Sequence, residues 1–86
     1  MRKKIMDIIS RDFPEAKRGI VTECLSTINL THVMTESEYN LENTLLSILY
    51  LAKGNVNQVI DLTEAAKKDF RDVIYWATLE RNSVGV

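Results

Sequence analysis

Cysteine, histidine, proline and tryptophan occur once each in the 86 residues, and glycine three times. Each shortage closes off a class of protein. A single cysteine, Cys24, makes no internal disulfide, so the chain is not a disulfide-stapled scaffold and a reducing, cytoplasmic setting is expected. A single histidine, His32, sits in a linker without partners at metal-ligand spacing, so no metal site is assigned. Glycine-rich phosphate loops, zinc-ligand pairs and Ser/His/Asp spacings are missing as well. No catalytic or cofactor-binding residue is therefore assigned, no cofactor is expected, and the chain is read as a non-enzyme. No apolar run is long enough to cross a bilayer, so no membrane partner is expected. Met1-Arg2-Lys3-Lys4 is basic, but Asp7, Arg11 and Asp12 interrupt the next stretch, unlike the apolar region of a signal peptide.

The residues that are present read as helix. Pro14, Gly19, Gly54 and Gly85 are the only strong breakers, which favours long helical stretches. Apolar residues make up 45% and charged residues 27%, the balance of an ordinary soluble domain. The length suits one small domain, 1–86, with 81–86 as a frayed tail.

The most clearly marked element is a central helix over about Glu36–Ala52. Thr35 and Glu38 have capping-box spacing, and Met34 and Tyr39 stand where a hydrophobic staple forms. Gly54 supplies the left-handed residue that ends the helix. Leu41, Leu45, Ile48, Leu49 and Ala52 form one apolar stripe, while Leu46, Tyr50 and Leu51 lie outside it. A helix apolar on several sides has neighbours on several sides, which places this one in the middle of the fold.

Before it, residues 2–12 read as a helix with Ile5, Ile8, Ile9 and Phe13 on one face, stopped by Pro14. A second helix begins at Pro14–Glu15 and runs to about Ile28, with Ala16, Ile20, Val21, Cys24, Leu25 and Ile28 as its face. Gly19 inside it suggests a close approach by another helix. Leu30, Val33 and Met34 in the linker are expected to cover the core.

After Gly54, Asn55 caps the next helix, with Gln58 at the reciprocal position. The seam Val56, Val59, Ile60, Thr63, Ala66, Phe70, Ile74 and Ala77 allows one helix to about Glu80. It also allows a break near Lys68–Asp69 with Asp69 as a new cap. The break is preferred, because an unbroken rod would overshoot the central helix.

Charge is unevenly spread. Residues 1–20 hold six bases (Arg2, Lys3, Lys4, Arg11, Lys17, Arg18) against three acids, and residues 21–50 hold four acids and no lysine or arginine. Either the basic N-terminal helices lie beside the acidic start of the central helix, or the two patches meet partners. Nucleic-acid binding through the six bases is the rival function, although no stacking aromatics are interleaved with them.

The hinge Gly54-Asn55-Val56, followed by Val59, Ile60 and Leu62, resembles that of ubiquitin-associated domains and of Fis-type helix-turn-helix proteins. The Met-Gly-Phe-like loop of the former is missing. The segment Phe70-Arg71-Asp72-Val73-Ile74-Tyr75-Trp76-Ala77 is too apolar and acidic for a recognition helix. A broader pattern joins Leu45-Leu46-x-Ile48-Leu49-x-Leu51-Ala52-x-Gly54-Asn55-Val56 to Ala66-Lys67-x-Asp69-Phe70-Arg71-Asp72-Val73-Ile74-x-Trp76-Ala77. It resembles a group of uncharacterised short bacterial proteins with a Gly-Asp-Leu hinge followed by Ala-Lys-x-Asp-Tyr-Arg-Asp-Val. The resemblance implies a bacterial source and a helical fold, and carries no activity. The group has Thr before the Asp, where this chain has Lys68.

Cys24, on an apolar face, reads as a buried inert thiol, and a dyad with His32 would need a tertiary coincidence. Glu36, Glu38 and Glu42 read as partners of a helix N-terminus rather than an acid cluster. Tyr75 and Trp76 are the strongest functional hint, since they make the last helix apolar almost all round and are favoured interface anchors. The expectation is an all-α, compact bundle of four or five helices serving as a protein-interaction module, with Tyr75, Trp76 and Arg71 as the candidate contact residues. The partner would be another protein or a second copy. Trp76 itself is expected to be substantially buried against the central helix.

Overall fold

The computed structural model describes residues 3–32 and 37–84. Five helices follow one another: α1 (Lys3–Asp12), α2 (Glu15–Ser26), α3 (Glu38–Ala52), α4 (Val56–Lys68) and α5 (Phe70–Val84), with a short 3-10 turn at Leu30–His32 before α3. No strand occurs among the described residues. The radius of gyration is 12.2 Å, close to the ~12 Å expected of a compact chain of this length. The protein is an all-α bundle.

α3 is the central helix. Thr44, Leu45, Ser47, Ile48, Leu49 and Ala52 are buried along it, and Leu41, Leu46 and Leu51 pack at the edge of the core. Its main neighbours are α5 and α4, with α1 on a further side, whereas α2 packs on α4 and α1. Burial on several sides explains the apolar breadth of α3. Two hydroxyls inside the bundle, Ser47 Oγ and Thr63 Oγ1, have no hydrogen-bond partner among the described residues, while Thr44 Oγ1 donates to the Asn40 carbonyl at 2.7 Å.

The helix ends follow local chemistry. Ser37 caps α3, its hydroxyl accepting the Asn40 N–H at 3.3 Å. Helix α3 therefore starts at Glu38 rather than Glu36. The expected capping box (Thr35 with Glu38) and staple (Met34 with Tyr39) each include a residue outside the described set, where Glu36 and Val33 also lie. Tyr39, the other half of the staple, is exposed. Lys53 and Gly54 leave the helix in successive left-handed conformations, with φ of 50° and 82°. Asn55 then caps α4 by accepting the Gln58 N–H at 3.1 Å.

Gly54 is required twice. Besides its positive φ, a Cβ there would stand 2.9 Å from the Asp12 carbonyl oxygen. The α3–α4 hinge thus rests on the C-terminal end of α1. Arg18 closes the same end, donating to the Phe13 and Ser10 carbonyls at 3.0 Å each.

The chain breaks at Asp69, as expected, with extended backbone (φ −156°, ψ 101°) between α4 and α5. Across the break most of the expected seam is buried, at Val59, Thr63, Ala66, Phe70 and Ala77, while Val56 is half-buried. In α5 the buried residues are Phe70, Val73 and Ala77, whereas Ile74 is only half-buried. In α4, Val59, Thr63 and Ala66 face the core and Ile60 is exposed. Val59 and Ile60 point about 100° apart, so only one of them can centre the packed face. The same holds in α2, where Val21 and Leu25 are buried while Ala16 and Ile20 are exposed. A Cβ placed on Gly19 would have nothing within 4 Å, so no helix approaches it closely. The helix end placed at Glu80 lies at Val84 instead; residues 85–86 are outside the described set.

Candidate functional site: the outward face of α5

α5 begins with a strong start signal. Asp69 Oδ1 accepts the Arg71 N–H at 3.1 Å, and the Arg71 guanidinium grips both carboxylate oxygens at 3.0 Å. These side-chain hydrogen bonds, followed by the backbone one, hold the Asp69 carboxyl below its ordinary range, and the pair raises Arg71 in turn. Arg71 is therefore first a capping residue. Its side chain remains exposed at the edge of the site.

The far end of α5 is fastened to α3. Lys53 Nζ meets Glu80 Oε1 at 2.6 Å, and the Arg81 guanidinium lies 4.8 Å from the centre of the Tyr50 ring. Glu80 raises the Lys53 ammonium by hydrogen bonding and charge. Between these two ends the inner side of α5 is made of Val73 and Ala77, both fully buried. Small residues there let α5 lie close against its neighbours.

That close fit leaves the bulk outside. Tyr75 is 60% exposed, Leu79 49% and Trp76 42%. The expected burial of Trp76 does not occur, because Val73 and Ala77 take the inner positions. At about 100° per residue, Leu79 projects between Tyr75 and Trp76, so the three share one outward face opposite the buried side. Leu79 was not among the candidate residues read from the sequence. Its signal was the spacing, four from Tyr75 and three from Trp76, which makes a second apolar stripe.

Five of the six basic candidates, Lys3, Lys4, Arg11, Lys17 and Arg18, stand on α1 and α2. Arg2 lies outside the described residues. Arg18 is committed to the end of α1, and Arg11 pairs with its neighbour Asp12 at 2.8 Å. Lys4 borders a shallow hollow shared with Tyr39, Glu42, Asn43 and Leu46, which brings α1 beside the acidic start of α3. Lys17 borders a different hollow, with Pro14, Gly54, Asn55, Val56 and Asn57. Lys3 is exposed near the start of α1.

Cys24 is partly buried against the core, and His32 Nδ1 accepts the Asn29 N–H at 3.1 Å. Among the described residues no group of histidine, cysteine and carboxylates could hold a metal ion, and no helix is long and apolar enough to cross a membrane. A surface cleft of about 550 Å³ lies between Arg11, Asp12, Leu49, Tyr50, Lys53 and Gly54. The charged residues lining it are paired, Arg11 with Asp12 and Lys53 with Glu80 of α5.

Comparison with protein-family models, curated proteins and solved structures finds no match to this chain. Among the described residues the fold is a five-helix bundle in which α5 leaves Tyr75, Trp76 and Leu79 exposed together.

Proposed function

We propose that this chain is a non-catalytic protein-interaction module whose docking surface is the outward face of α5. The observation that carries this reading is the exposure of Tyr75, Trp76 and Leu79 together on one helix. A tyrosine, a tryptophan and a leucine left open side by side are costly in water and are favoured as interface anchors. The helix presenting them is held at both ends, by the Asp69–Arg71 cap and by Lys53–Glu80, so the face is pre-ordered for binding. Arg71 and Asp72 supply a polar rim at its N-terminal end.

The test is affinity capture from source-cell extract with the parent chain and with Leu79→Glu, after circular dichroism has shown that both are equally helical. The expected result is one or more proteins held by the parent and lost by the variant. Identical capture by the two chains would remove α5 from the role. Tight binding of mixed DNA or RNA that weakens steeply with salt would replace the reading with the nucleic-acid one.

A further inference from the structure

Two hydroxyls set one side of the core apart. Ser47 on α3 and Thr63 on α4 are 0% and 3% exposed, and neither Ser47 Oγ nor Thr63 Oγ1 has a hydrogen-bond partner among the described residues. Thr44, one turn before Ser47, shows the ordinary arrangement, its hydroxyl donating to the Asn40 carbonyl at 2.7 Å. A buried hydroxyl left unpaired favours any form in which water reaches it, by roughly five- to a hundredfold. We propose that the bundle has a low-lying open form in which water enters between α3, α4 and α5 while α1 and α2 stay packed.

The core is built unequally on its two sides. Residues 3–28 bury Ile5, Ile9, Phe13, Val21, Leu25 and Ile28, all of them branched or aromatic and all apolar. α4 and α5 bury Val59, Thr63, Ala66, Phe70, Val73 and Ala77, of which Phe70 alone is large. The three buried polar side chains among the described residues, Thr44, Ser47 and Thr63, all stand on α3 and α4. Short side chains give up little dispersion energy when helices part, so the α4–α5 side separates more readily than the α1–α2 side.

The polar ties have the same asymmetry. Arg18 of α2 donates to the Phe13 and Ser10 carbonyls at 3.0 Å each, which closes the corner between α1 and α2. α3 and α5 are joined through Lys53–Glu80 and Arg81–Tyr50 at their C-terminal ends, and the Lys53 side chain is largely exposed there, where an ion pair holds weakly. α4 and α5 carry their own start signals, Asn55 and Asp69, so each keeps its helical form when the packing around it loosens. The open form is thus a parting of formed helices, distinct from unfolding of the whole chain.

The experiment places a thiol at one of three fully buried valines, in a Cys24→Ser background: Val21→Cys in α2, Val59→Cys in α4 or Val73→Cys in α5. Each chain is mixed with an aromatic disulfide reagent in non-denaturing buffer, and the thiol reacts only when its site opens to water. Urea unfolding of the same chain gives the rate that unfolding of the whole molecule would allow. The Val59→Cys and Val73→Cys chains are expected to exceed that rate at least about tenfold, and the Val21→Cys chain to match it. Adding Ser47→Ala together with Thr63→Val should slow the first two at least about tenfold. Three chains that all match the unfolding rate, or all exceed it alike, overturn the proposal. Unchanged or faster labelling in the presence of Ser47→Ala and Thr63→Val does so too, since the hydroxyls would then not be what favours opening. If the chains carrying those two substitutions do not fold, the three rates measured without them decide.

Discussion

Two glycines with opposite surroundings show how much one side chain can decide. Gly54 sits at φ +82°, and its missing Cβ makes room for the Asp12 carbonyl. Gly54→Ala adds left-handed strain and a backbone clash at once, and is expected to cost roughly 2–4 kcal/mol in urea unfolding. Gly19 lies within α2 with open space around it, so Gly19→Ala gains helix propensity and should stabilise by about 1 kcal/mol. Opposite signs for the two variants are the check; a Gly54→Ala protein as stable as the parent would contradict the close packing of the α3–α4 hinge on α1. Trp76 and Val73 make a second contrast. The exposed tryptophan is expected to lose only about 1 kcal/mol on truncation to alanine, whereas Val73→Ala opens the buried α5 contact and costs about 2–3 kcal/mol. A larger loss at Trp76 than at Val73 would mean that the inner and outer sides of α5 are reversed.

Among the helices, the junction between α4 and α5 depends on Asp69. It accepts the Arg71 N–H and pairs with the guanidinium, which starts α5 one residue after α4 stops. Asp69→Ala removes the cap and is expected to lower the melting temperature by roughly 5 °C near neutral pH. The direction of the pKa shift sets the sign of the pH dependence. The Asp69 carboxyl is held below its ordinary value of 3.8, so its contribution is complete above that value and is lost as pH falls through the depressed one. The difference in melting temperature between parent and Asp69→Ala should stay constant from neutral pH down to about 5 and close only in stronger acid. A gap that widens on acidification would contradict the assignment.

Across the full bundle, α3 is covered by α4, α5 and α1, and α5 is the covering helix with bulk to spare. The C-terminal ends of α3 and α5 are tied at Lys53–Glu80 and Arg81–Tyr50, which keeps the outward face of α5 in one orientation. Basic side chains on α1 and α2 are partly consumed in holding the corner between them. Arg18 donates to the Phe13 and Ser10 carbonyls there, and Arg11 pairs with Asp12.

The features legible in the chain before folding are local. The stop at Pro14, the exit through Gly54, the Asn55 cap and the break at Asp69 depend on backbone preferences and on hydrogen bonds reaching two or three residues, all of which are written within a few positions. The all-α class follows from the same signals together with helical apolar spacing. The phase of each helix was settled only by packing in three dimensions. α2, α4 and α5 each carry two apolar stripes about 100° apart, and periodicity alone supports either as the buried one. Packing chose Val21 over Ile20, Val59 over Ile60, and Val73 with Ala77 over Trp76. In α5 the reason is that a helix seated closely on α3 admits small residues at the contact. The large aromatic side chains were left facing water, where a partner can reach them.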